Sequence, residues 1–78
     1  MNVMPEVNVK YMQEALVRDL IVALTDNYGN SLAEAMNIVY CSETFRMLKD
    51  ERTHLYAHSP VYMFDCLERE MKYGKVYV

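Results

Sequence analysis

No tryptophan occurs among the 78 residues, and phenylalanine, glycine, proline and cysteine appear only twice each. Each shortage removes a class of protein. With Gly29 and Gly74 alone, no glycine-rich phosphate loop can be built. Two cysteines cannot supply a disulfide framework. Cys41 and Cys66 both fall in predicted helices among apolar neighbours, where reduced, buried thiols acting as small hydrophobes are expected. The longest apolar run, Leu20 to Leu24, is far too short to span a bilayer. No basic run of four residues occurs, and the net charge is −3 with a pI near 5.2. That balance weighs against nucleic acid and against an anionic membrane surface, both of which attract basic patches. Met1 to Lys10 lacks a positive stretch followed by an apolar one, so no targeting segment is expected and the predicted location is the cytoplasm.

The signatures of catalysis are missing as well. Ser31, Ser42 and Ser59 all read as helix caps, and no G-x-S-x-G surrounds any of them. His54 and His58 stand four apart, a spacing that lets two imidazoles share a metal on a helix. Ser59-Pro60 places them ahead of a helix rather than on one, and neither a C-x₂-C pair nor H-E-x-x-H is present. Asp65, Glu68 and Glu70 alternate with Arg69 and Lys72, which reads as a solvated face of ion pairs rather than an acid–base site. No catalytic residue, metal ligand or cofactor is therefore assigned, and the chain is not expected to be an enzyme. An enzyme would require an assembled pocket around His54, His58 and nearby carboxylates.

What is present is a globular composition, 53% apolar and 24% charged, in a length that suits one domain over residues 1–78. Seven Met and seven Tyr stand out. Met fills irregular gaps and adapts to partner surfaces. Tyr carries a large apolar body with a polar tip, suited to half-buried and interface positions. A small core packed with Met and rimmed by Tyr is one reading of this excess, and a contact patch is the other.

The periodicity predicts an all-α fold, a compact bundle of three to four short helices. Residues 1–8 are a lead-in. A first helix runs from about Val9, or a few residues earlier, to Tyr28 and is closed by Gly29, which takes positive φ without penalty. Met12, Leu16, Val17, Leu20, Ala23 and Leu24 fall on its main apolar arc, while Tyr11, Ala15, Ile21 and Val22 lie outside it. A helix apolar on more than one side is buried on more than one side. Ser31 with Glu34 makes a capping box for a second helix, whose apolar positions are Leu32, Ala35, Met36, Val39 and Tyr40. Ser42 caps a third from Glu43 to about Asp50, with Phe45, Met47 and Leu48 as its contacts, or else lies within one longer helix. Asp50 to Thr53 is a polar turn, and Leu55, Tyr56 and Ala57 an apolar loop. Ser59-Pro60 opens a fourth helix to about Tyr73, with Phe64, Leu67 and Met71 as its core stripe and Glu68, Arg69, Glu70 and Lys72 as its wet side. The tail, residues 75–78, is apolar for a chain end and leaves three fates open: a short strand, docking on the core, or contact with another subunit.

The acidic charge, the Met and Tyr excess, the two-sided first helix and the apolar tail together point to protein–protein contact. The expected partner is a second copy or another protein, with Tyr11, Met12, Ala15, Val22, Tyr62 and Tyr77 as the candidate contact residues. The alternative is a nucleic-acid-binding regulator that uses the tight unit formed by the first two helices. Its candidate recognition helix, Leu32 to Cys41, carries Glu34 and Asn37 but no Lys or Arg, so nucleic acid is the weaker expectation.

One resemblance begins with the run Leu24-Thr25-Asp26-Asn27-Tyr28-Gly29, then Ser31-Leu32-Ala33-Glu34-Ala35, then Tyr40-Cys41-Ser42-Glu43-Thr44-Phe45 with Leu48. With Thr53-His54-Leu55-Tyr56 and Ser59-Pro60-Val61-Tyr62 followed by Leu67, this run resembles a family of short bacterial helical domains of unknown function. Members are often encoded beside an ADP-ribosyltransferase-like toxin. The resemblance spans Tyr11 to Glu70 and consists of caps, core residues and turns rather than a catalytic motif. It implies a helical partner or antitoxin-like neutraliser of a neighbouring gene's product, and it carries no functional residue over to this chain.

Overall fold

Each of the four α-helices among the described residues begins at a side chain that accepts a hydrogen bond from its own first turn. The computed structural model describes residues 8–74. Asn8 Oδ1 accepts from the Tyr11 amide at 2.9 Å and starts α1 (Val9–Tyr28). Ser31 Oγ accepts from the Glu34 amide at 3.1 Å and starts α2 (Leu32–Tyr40). Glu34 Oε1 in turn accepts from the Ser31 amide at 2.9 Å, which completes the capping box. Ser42 and Ser59 cap α3 (Glu43–Lys49) and α4 (Pro60–Tyr73) at 3.0 and 3.1 Å. Such a cap is worth about 1 kcal/mol, because the first helical amides have no partner within the helix. Gly29 and Gly74 end α1 and α4 at φ 70° and 76°. A Cβ at either glycine would meet nothing within 4 Å, so glycine is needed there for its dihedral and not for space.

Ser42 resolves the third helix into a separate element. Its Oγ donates to the Val39 carbonyl at 2.6 Å while accepting from the Phe45 amide, so one hydroxyl ends α2 and starts α3. Two 3₁₀ turns, Glu51–Thr53 and Leu55–Ala57, link α3 to α4. Between them His54 takes a left-handed conformation at φ 56°. Asp50 holds the first turn by accepting from the Arg52 amide and guanidinium at 2.7–3.0 Å. The guanidinium draws its carboxyl pKa down to about 2. Among the described residues there is no strand, and no helix is long and apolar enough to cross a membrane. The proposed fates of the tail lie outside the described residues.

One core gathers Leu16, Val17, Leu20, Ile21 and Leu24 of α1 with Ala35, Val39, Leu48, Leu55, Met63 and Leu67. The buried face of α1 is displaced from the expected arc. Ile21 and Gln13 are buried, while Met12 and Ala23 are only half-buried. α1 packs against α2, α3, α4 and the Leu55–Ala57 turn, so its covered face is wider than one sequence arc suggests. The stripe of α4 is likewise rotated. Met63, Cys66 and Leu67 are buried, Phe64 is half-buried and Met71 is exposed. Cys41, expected inside, is exposed because it is the residue after the last turn of α2.

The rotation of α4 carries Glu70, expected on the wet side, onto the packed face, three residues beyond Leu67. There its carboxylate accepts from the Glu43 amide at 2.7 Å, the Thr44 amide at 2.8 Å and the Thr44 hydroxyl at 2.7 Å. At the other end of α3, the buried Gln13 side chain donates to the Leu48 carbonyl at 3.0 Å. Both ends of α3 are thus held by side chains of other helices. Among the described residues, no buried side-chain polar atom lacks a partner.

Burial opposes the charge of Glu70, but the bonds from Thr44 and from the Glu43 and Thr44 amides outweigh it and leave the carboxyl pKa below its usual 4.5. A depressed native pKa gives stability that is complete above the unfolded value and is lost as pH falls through the lower native one. Glu70→Ala is expected to lower unfolding free energy by about 1–2 kcal/mol near neutral pH. In urea titrations Glu70→Gln should lose less stability than the parent between roughly pH 5 and pH 3. Equal acid sensitivity in the two proteins would remove Glu70 as the capping charge.

Candidate interaction surface

α2 carries two adjacent apolar rows, and only one of them can face α1. Ala35 and Val39 take the inner row and are fully buried. Being small, they let the two helices approach closely. Leu32, Met36 and Tyr40 form the other row, at i, i+4 and i+8, and remain 63%, 38% and 49% exposed. The capping box fixes where α2 starts, and packing against α1 decides which row points inward. Each outer residue follows an inner one, or precedes it by three, and so lies a third or less of a turn away.

This outer ridge borders a groove of about 510 Å³. Val17 and Ile21, both buried, form its floor, and Val22 rises from α1 on the wall facing the ridge. Tyr40 packs edge-on against Phe45 of α3 at 5.1 Å, which shuts one end. Glu14, Arg18 and Lys49 supply the charges along the lining. Gln13 bonds to Leu48, so Lys49 stands at the Glu14 end of the groove, away from Val22. Among the described residues Glu14 and Lys49 make no ion pair, and Arg18 reaches only Asp19, at 3.9 Å.

A larger hollow of about 800 Å³ lies between the end of α1 and the last turns of α4. Its polar groups already answer one another. Tyr28 donates its hydroxyl to Glu68 at 2.6 Å, Arg69 pairs with Asp65 at 3.0 Å, and Lys72 sits 5.9 Å from the centre of the Tyr73 ring. The hydrogen bond to Glu68 raises the Tyr28 phenol pKa, since it favours the protonated form. Nothing in this hollow combines an unmet charge with an apolar floor.

Of the candidate contact residues, those described lie on α1 and α4. Val22 lines the groove. Tyr11 is 64% exposed further along α1, and Met12 and Ala15 are half-buried. Tyr62 is half-buried on α4, where its ring stacks on His58 at 4.1 Å. Tyr77 lies outside the described residues. Leu32, Met36 and Tyr40 do not stand out in the sequence as surface residues, because helical spacing alone gives both rows of α2 to the core. The legible signal was residue size: the row with Ala35 permits the closest approach.

His54 and His58 are exposed and stand against tyrosine rings, His54 at 5.8 Å from Tyr56. Among the described residues no three His, Cys, Asp or Glu side chains gather closely enough to hold a metal ion.

The two thiols differ in reach. Cys41 follows Tyr40 at the end of the ridge and is exposed, whereas Cys66 is 1% exposed and burial pushes its thiol pKa up. One thiol per native chain is expected to react promptly with a disulfide reagent such as DTNB, and the second only on unfolding. Cys41→Ser should abolish the prompt phase; prompt loss of both thiols in the native parent would contradict the packing around Cys66. Compared with known proteins, the chain matches no family model, no curated protein and no solved structure.

Proposed function

We propose that this protein is a protein-interaction module that docks its partner over the groove between α1 and α2. The observation that carries the reading is the continuous row Leu32, Met36 and Tyr40, left exposed beside an apolar floor on a chain of 78 residues. Side chains of this size exposed singly are ordinary, but an aligned row that walls a groove is a contact feature. Tyr and Met are also the residue types that interfaces favour. An antitoxin-like neutraliser, the role implied by the family resemblance, is one form of such a module. α2 exposes no Lys or Arg, which favours a protein over the phosphate backbone of nucleic acid.

A photo-crosslinking amino acid placed at Met36 tests this in the cells that produce the protein. The control site is Val61 on α4, which is 80% exposed and does not line the groove. The expected outcome is a discrete crosslinked species from position 36 and none of comparable yield from position 61. Its mass distinguishes a second copy from a different protein. Absence of any discrete species from position 36 would sink the reading.

A further inference from the structure

We infer that the occupant of the groove is a second copy of this chain, seated by a two-fold axis so that each copy lays its ridge in the other's groove. The inference rests on the docking role proposed above and adds the identity of the partner. Two features support it, one of shape and one of charge.

A two-fold interface must be self-complementary, because residue i of one copy meets j of the other while j meets i. The surface on α1 and α2 meets this condition in shape. Leu32, Met36 and Tyr40 form an i±4 ridge about 12 Å long, and the groove beside it runs along the same ridge. Ridges of this class interdigitate when two helices pack, and here a ridge and its receiving groove sit side by side on one chain. A two-fold rotation therefore presents each to the other.

The condition also holds for charge. A rim of one sign would repel its own copy. This rim carries a carboxylate, Glu14, and two cations, Arg18 and Lys49. Among the described residues Glu14 and Lys49 have no ion-pair partner within the chain, although both line the same groove. Across a two-fold axis Glu14 of each copy meets a cation of the other, and every such pair occurs twice.

Light scattering coupled to size exclusion reads the outcome on the full chain, loaded from about 1 μM to about 1 mM. The expected result is the mass of two chains at the upper concentrations. Leu32→Glu and Met36→Glu should each give a monomer that keeps the parent's helical circular dichroism, since both positions are exposed in the single chain. Glu14→Lys and Arg18→Glu should each weaken association about tenfold. An equimolar mixture of those two variants should recover a heterodimer, because one supplies the cations and the other the carboxylates. A parent that stays monomeric throughout overturns the inference, as does a dimer indifferent to both ridge substitutions or a charge-swapped mixture no tighter than its components. A monomeric parent together with a crosslinked species of another mass from position 36 would leave the docking role standing and reject only the second copy as its partner.

Discussion

A seven-residue helix held at both ends by its neighbours is the constraint around which this fold is arranged. Helices shorter than about 12 residues are marginal on their own, because nucleation costs more than a few internal bonds return. α3 is stabilised instead by two tertiary links. The Glu70 carboxylate collects three donors at its first turn, and the Gln13 amide bonds to the Leu48 carbonyl in its last. α1 and α4 are thereby joined through α3 as well as through the core. The same links place Phe45 and Lys49 at the closed end of the groove. The groove's shape therefore depends on a carboxylate that does not line it.

The ion pairs act over shorter range. Arg52 pairs with Asp50, Arg46 with Glu43 and Arg69 with Asp65, all within four residues along the chain. Exposed pairs of this kind contribute little and mainly shape turns and helix faces. Glu70 differs because it accepts from backbone amides that would otherwise lie unpaired in a partly buried position. Removing it exposes a deficit rather than a surplus. Tyr28, by donating to Glu68, adds a polar link that joins α1 to α4 directly.

Small size shapes the surface as directly as it shapes the core. A domain of this length has too little interior to bury all of its apolar side chains. Close packing at the α1–α2 seam selects Ala35 and Val39, and so turns Leu32, Met36 and Tyr40 outward. The exposed ridge is thus a geometric consequence of the tight seam. What the chain gains in close contact between two helices it shows again as an apolar wall outside.

The sequence by itself determined most of the helix boundaries. Ser31 with Glu34, Ser59-Pro60, Gly29 and Gly74 act through bonds and dihedrals within a few residues, so their effect is readable from local order, whereas the break at Ser42 stayed open between a cap and one longer helix until the structure placed it. It also determined the all-α class, through the spacing of residues such as Leu16, Leu20 and Leu24. Only the tertiary structure decided which side of each helix is covered. Ile21 went inside and Met71 outside, the ridge of α2 stayed exposed, and Glu70 became a cap for a helix 26 residues earlier in the chain. Those outcomes depend on where a second helix lies in space. Helical periodicity fixes the angles between side chains on one helix, but it contains no information about the direction from which the next helix arrives.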